Sequence, residues 1–313
     1  MMDHYQTLLL DRLCELEKPI VNGIDQCLVE LESSKKNLKV SLQYYYNQTK
    51  DRQDIKEYYH SLSLHEGNQN LFHLFHQLLK KTHRPLPYFV SKDLYLYPWV
   101  DLQFDGSIKN IYSGIHQDPQ KLIEKDFEVI QKKYHRFQNL IEFERHKKEW
   151  NVNHLTTIDR DFKFNTEHIV PQSWYGAKDP MKGDLHHLFA CEPDCNIKRS
   201  NFAYEDFHFY EPESPKERIQ NHCGVSMDEK FEPEYGKGTV ARAMLYFFVR
   251  YPKKIRKPFI KQINLPLLIN WHKQFGITIY EKHRNQAIYQ IQGNRNPFID
   301  FPEVVDRMVI KLD

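Results

Sequence analysis

Long apolar runs are missing from this sequence. No segment approaches the ~20 consecutive apolar residues that a membrane-spanning helix requires, and the N-terminal stretch MMDHYQTLLLDRLCELEKP offers only Leu8 to Leu10 in succession. That stretch has early acids and neither the basic start nor the apolar centre of a secretory signal, so the expectation is a cytoplasmic protein with no membrane partner, any exit being by a non-classical route. Glycine is scarce, 11 residues against 20 Phe and 19 Tyr, which excludes a disordered or low-complexity chain. Charge of one sign is lacking too. A net charge of +2 and a pI near 8.1 mean that any nucleic-acid surface must be local. The basic runs KKIRKPFIK (Lys253 to Lys261) and KKYHRFQNLIEFERHKK (Lys132 to Lys148) are the places for it, although charge runs alone read as solvated faces. Cysteine is sparse and odd in number: Cys14, Cys27, Cys191, Cys195 and Cys223 do not form a closed disulfide framework, so reduced thiols are expected.

The 313 residues suffice for one large domain or a core with an added segment. Apolar residues recur at helical spacing from Tyr5 to about Lys81, as at Leu8, Leu9, Leu13, Leu16 and Leu71, Leu74, Leu78, Leu79, and His83-Arg84-Pro85-Leu86-Pro87 would end the last helix. The expected division is an N-terminal helical segment, 1–85, and a second domain, 86–313. Alternation around Asp105-Gly106 in DLYLYPWVDLQFDGSIKNIYSG predicts two hairpin strands. Helices are predicted from Pro119 to Trp150, from Gly238 to Tyr251 and from Leu265 to Gln290 in one or two pieces. The Gly238 helix is apolar nearly all round and belongs in a core.

The unusual chemistry lies in about forty residues: FNTEHIVPQSW, GDLHHLF and CEPDCNIKRSNF. Hydrolysis of a phosphodiester needs a base for water, a cation on the phosphate and leaving oxygen, and a donor for the spreading negative charge. His168 can be the base because imidazole titrates near neutrality. Glu167 and Asn196 offer the oxygen ligands that Mg2+ prefers. Asp194 is a good N-cap for a helix from Cys195 to about Asn201, which would put Asn196 and Arg199 on one face. Neighbours on a regular strand point to opposite sides, so Glu167 and His168 share a site only where the strand ends, with Pro171 the candidate break. Taken singly, each residue has a plainer reading: a structural histidine, a cap, a surface ion pair, a turn at Asp184 with His186 as its satisfied partner.

The strings NTEHIVPQSWYG, PMKGDLHHLF, CNIKRSNF, FEPEYGKGTVARAMLYFFVRY and RNQAIYQIQGNRNPFIDFPE, with the block ending in IYSG, resemble the endonuclease I nucleases over roughly residues 70 to 313. The resemblance implies an α+β fold in which a ββα-metal (His-Me finger) core is embedded in a mostly helical domain, the N-terminal helices being an addition. It implies a metal-dependent, sequence-nonspecific endonuclease leaving 5'-phosphate ends on DNA or RNA, with His168 as general base, Glu167 and Asn196 as ligands of Mg2+ (Mn2+ or Ca2+ being substitutes), and Asp184 and His186 as supporting residues. His168 would lie on the first strand, HHLFACE would form the second, and Asn196 would sit on the following helix. The short insertion between the strands carries Lys178 and Lys182 rather than an arginine, so the phosphate contact is assigned to Arg199, with Lys182 second. The block from Asn294 to Asp300 reads as structural.

Cys191-x-x-x-Cys195 with Cys223 has the spacing of a structural zinc site, against the alternative of three unrelated thiols. Two readings compete with the enzyme: a catalytically idle nucleic-acid-binding protein that keeps the ββα shape, and a structural zinc module. The expected partners are DNA or RNA and an inhibitor protein, and the expected state is a monomer.

Overall fold

The structure is a computed structural model that describes residues 2–62, 71–147, 154, 157–158, 162–210, 222–310 and 312. At its centre lies α7 (Lys237–Arg250), with thirteen of its fourteen residues buried, as its all-round apolar sequence dictates. Its charged residues are inside only because they are paired: Lys237 donates to Asp206 and Glu232 at 2.6 Å each, and Arg242 makes a two-pronged contact with Glu281 at 2.6 and 2.9 Å. Glu281 also closes a capping box with Thr278, so one carboxylate starts α9 (Ile279–Gln292) and locks it to α7. Between them runs α8 (Leu265–Gln274), which packs on α7. The helix expected from Leu265 to Gln290 is therefore in two pieces.

Packing runs across the expected boundary at residue 85. In the N-terminal part, α1 (Met2–Asn22), α2 (Asp25–Val40), α3 (Gln48–Tyr58) and α4 (Leu71–Thr82) follow in order. Tyr58, Tyr59, Leu71, Phe75 and Leu79 share one hydrophobic core with Val240 to Val249 of α7. Polar contacts reinforce this: Arg295 holds Asp51 at 2.7 Å and Tyr59 donates to Asp300 at 2.8 Å. A separate cluster joins α1 to the long α5 (Pro119–Lys147), where Leu9 and Leu16 meet Ile130, Phe137 and Ile141.

Strands are short. β1 (Ile108–Lys109) pairs with β2 (His116–Gln117), β3 (Thr166–His168) pairs antiparallel with β4 (Leu188–Ala190), and β7 (Lys230–Pro233) lies between β5 (Ala203–Tyr204) and β6 (Gly224–Met227). The protein is a mixed α+β structure, mostly helical. Of the two strands predicted around Asp105-Gly106, the second is β1, with Leu102 bridging Ile108 across the turn; the first is a correction, because residues 90–100 form a wide helix that ends with Asp101 N–H donating to the Leu96 carbonyl, five residues back. Burial overrides alternation there. Lys92, with no exposed surface, reaches Asp126 at 2.9 Å, and Tyr97 donates to the same carboxylate at 2.6 Å, contacts that an extended segment would forgo. Short α6 (Pro193–Arg199) follows β4 and starts with proline at its first turn. Its N-cap is Glu192, without a side-chain bond. The Asp194 cap expected from sequence is thus corrected by two positions, because proline at the first helical position already dispenses with one N–H.

Candidate active site

β3 stops where the chemistry requires it. The register pairs Glu167 with Phe189 and His168 with Leu188. One further bond, Ile169 N–H to the His187 carbonyl at 2.9 Å, precedes Pro171, where the chain turns into a new helical turn. Glu167 and His168 consequently line the same cleft, a space of about 650 Å³. Asn196 comes from α6, and its Nδ2 donates to the Thr166 carbonyl at 2.7 Å, which fixes the carboxamide beside the residue preceding Glu167 and leaves its oxygen for another partner.

Each group has a defined electrostatic setting. Glu167 accepts from the Tyr112 hydroxyl at 2.8 Å and faces Arg199 Nε at 3.4 Å. Burial pushes its carboxyl up to about 7 while Arg199 and Tyr112 pull it down. His168 Nε2 lies 2.8 Å from the Lys182 carbonyl. A carbonyl only accepts, so Nε2 carries the hydrogen and Nδ1 keeps its lone pair, which receives the Gln172 Nε2 donor at 3.2 Å. Burial, with His187 adding to it, pushes His168 down to about 3, so the ring is neutral, with its lone pair at Nδ1.

Arg199 is a correction. Its side chain has no exposed surface, and its two terminal nitrogens donate to the Ile169 carbonyl at 2.7 Å and the Ser200 carbonyl at 3.1 Å. A guanidinium so engaged holds Glu167 and the β3 end in place rather than meeting a phosphate. Lys182 lines the cleft with its ammonium over the Tyr88 ring at 5.5 Å, and it donates to Glu15 of α1 at 3.1 Å. Asp184 and His186 lie behind the strands. Asp184 accepts from the His186 N–H at 3.0 Å, Gln292 at 2.8 Å, Tyr246 at 2.8 Å and Tyr251 at 2.7 Å, and His186 Nε2 lies 3.2 Å from the Asn294 carbonyl. The Asn294 block is therefore structural, tying α7 and α9 to the loop that precedes β4.

The expected zinc site is also corrected. Cys195 and Cys223 form a disulfide, and sulfurs bonded to each other are not thiolate ligands. Cys191 is buried with a free thiol, which burial pushes well up from its ordinary range, a poor start for a metal ligand. His222 stands beside the disulfide, its Nδ1 3.1 Å from the Cys223 sulfur.

Sequence reasoning missed Tyr112, Gln172, Lys163 and Glu15, all of which touch or line this cleft. Tyr112 lies in the IYSG block, and Lys163 between two phenylalanines just before β3, so both were visible as residues though not as partners. Glu15 had no local signal, since only the docking of α1 brings it near.

A strand pair and helix that present a neutral imidazole, a carboxylate and a carboxamide oxygen in a cation-bearing cleft are equipped for general-base chemistry on an anionic substrate. The chain belongs to the endonuclease I family: residues 100–303 match the family model described as Endonuclease I. It is 32% identical over 160 residues to an extracellular ribonuclease of Bacillus amyloliquefaciens, covering 46% of this chain and 53% of that one. It is 32% identical over 123 residues to endonuclease-1 of Buchnera aphidicola subsp. Baizongia pistaciae, 38% and 46% of the two chains. An extracellular deoxyribonuclease of Aeromonas hydrophila is 31% identical over 155 residues, 43% and 64%. The chain thus spans about half to just under two thirds of the curated relatives it matches. The expected cytoplasmic location is overturned: two of these relatives are named extracellular, and the Cys195–Cys223 disulfide fits the oxidising compartments of exported proteins.

Proposed function

We propose that this protein is a secreted, metal-dependent endonuclease that hydrolyses phosphodiester bonds of DNA or RNA without sequence preference, and that β3, β4 and α6 are its ββα-metal core. The observation that carries the reading is the pinned imidazole: with Nε2 given to the Lys182 carbonyl at 2.8 Å, His168 presents Nδ1 as the one ring nitrogen with a free lone pair.

The donor set suits a hard divalent cation. Glu167 supplies a desolvated carboxylate and Asn196 a carboxamide oxygen left over by its bond to Thr166, and Mg2+ takes few protein oxygens and keeps several waters. Bound there, the cation would neutralise charge on the phosphate and the leaving oxygen. His168 Nδ1 takes a proton from the attacking water, for which the Gln172 amide must yield its place. Tyr112 and Arg199 hold Glu167 as an oriented carboxylate. Lys182, and Lys163 on the cleft lining, attract the phosphate as point charges. Departure of the 3'-oxygen leaves a 5'-phosphate.

The test is incubation of plasmid DNA and a structured RNA with the protein in Mg2+ or in EDTA, followed by end-group analysis. Cleavage in Mg2+ only, with 5'-phosphate ends, is expected. Cleavage persisting in EDTA, or ends carrying a 3'-phosphate, would contradict the mechanism.

A further inference from the structure

The cleft extends well beyond the reacting groups. At one end are Glu167, His168, Gln172 and Asn196. The remainder of its lining includes Phe89, Phe162 and Phe164 together with Leu16 of α1, so the site continues into a part where aromatic rings and charged side chains alternate. The rings there differ in what they already touch. Tyr88 is occupied by His168 at 5.3 Å and the Lys182 ammonium at 5.5 Å. Phe164 carries the ammonium groups of Lys92 and Lys133 at 5.0 and 5.5 Å and meets Phe89 edge to face. Phe162, half-buried, packs against the cluster between α1 and α5 and has no aromatic-pair or cation contact among the described residues. Cations border this part of the cleft: Arg12, Lys133, Lys163 and Lys182, against the carboxylates of Glu15 and Glu167.

Aromatic rings interleaved with basic side chains are the equipment of single-strand binding, in which the backbone follows the positive charge and an unstacked base lies on a ring. In a duplex the base faces are stacked on each other and cannot meet a side-chain ring. We propose that the Phe162 end of the cleft is a subsite for an unstacked nucleobase, and that the substrate class of this enzyme is single-stranded nucleic acid or unpaired segments of folded RNA. The proposal rests on the nucleolytic reading of the same cleft. It assigns α1 a part in substrate choice, because Arg12, Glu15 and Leu16 complete the lining and lie outside the family-matched residues 100–303.

Binding in EDTA tests this apart from catalysis. Fluorescence anisotropy of a labelled 12-nucleotide strand, free or annealed to its complement, is measured with the full chain, with Phe162→Leu, which keeps apolar bulk without a ring, and with Phe162→Trp. One stacked base contributes roughly 5- to 150-fold in affinity. The single strand should bind at least about tenfold tighter than the duplex, Phe162→Leu should lose most of that margin, and Phe162→Trp should keep or widen it. A thermal melt confirms that the variants fold. Equal binding of the two substrates, or a Phe162→Leu protein that binds the single strand like the parent, would overturn the subsite. Loss of Mg2+-dependent cleavage with the binding difference intact would overturn the nuclease reading instead.

Discussion

Replacing Tyr112 by phenylalanine removes one oxygen from the site and leaves its packing in place. The hydroxyl donates to Glu167 at 2.8 Å and pairs with the Tyr204 hydroxyl at 2.8 Å, while the ring rests against Phe231 with centroids 5.0 Å apart, a contact that phenylalanine retains. A hydrogen bond to a charged acceptor contributes about 1.5–3 kcal/mol, and residues that orient a metal ligand typically govern about 10- to 100-fold in metal affinity or activity. Since Arg199 Nε still faces Glu167 at 3.4 Å, the carboxylate keeps a counter-charge but loses its orienting donor. The half-saturating Mg2+ concentration should therefore rise by about 10- to 100-fold, with most of the rate recovered at high Mg2+. The assay is the initial rate of cleavage of a fluorogenic oligonucleotide across a Mg2+ titration. An unchanged titration curve in a folded Tyr112→Phe protein would refute the claim that this hydroxyl orients a metal ligand.

Other consequences are equally open to measurement. Phe75→Ala empties a fully buried position where α4 meets the central core and should cost about 3–5 kcal/mol in denaturant unfolding; a loss under 1 kcal/mol would mean that the N-terminal helices are peripheral. Replacing Cys195 and Cys223 together by serine opens a 28-residue separation and should cost about 3–4 kcal/mol by loop entropy, with dithiothreitol destabilising the parent but not the variant. Acid should weaken the fold in two stages. Burial holds His83 and His187 below their ordinary range and His186 at about 4, so as pH falls below about 6.5 the unfolded chain takes up protons that the folded one refuses, for His186 down to about pH 4, at up to about 1.4 kcal/mol per pH unit for each histidine. Burial alone would raise Asp184, but His83, His186, His187 and the Gln292 donor outweigh it and hold the carboxyl below the usual range, so its contribution, present above about pH 4, is lost below it. Melting temperatures that stay level from pH 7 to pH 4.5 would contradict this.

Much of the candidate site is legible in the sequence because its signals are local. Glu167-His168 and Asn196 lie within about thirty positions of each other, and the strand break between them has a proline to mark it. The core helix Lys237–Arg250 announced itself by an apolar sequence that no exposed helix could carry. What failed did so where distant residues decide. Residues 90–100 alternate like a strand, yet Lys92 and Tyr97 must both reach Asp126, a partner on α5. Arg199 has the composition of a phosphate ligand, and only the buried Ile169 carbonyl and Glu167 carboxylate reveal its other occupation. The thiols were read as reduced from their odd number, whereas the pairing of Cys195 with Cys223 depends on how β6 returns beside α6.

The most direct test of the account is Mg2+-dependent cleavage of single-stranded DNA by His168→Ala beside the parent protein, at saturating Mg2+ and with folding verified by a thermal melt. Removal of a general base costs roughly 10²–10⁴-fold, so the variant should be slower by at least about 100-fold while retaining DNA binding. A folded His168→Ala protein that cleaves at the parent rate would show that His168 Nδ1 is not the base, and the assignment of the active site would fall with it.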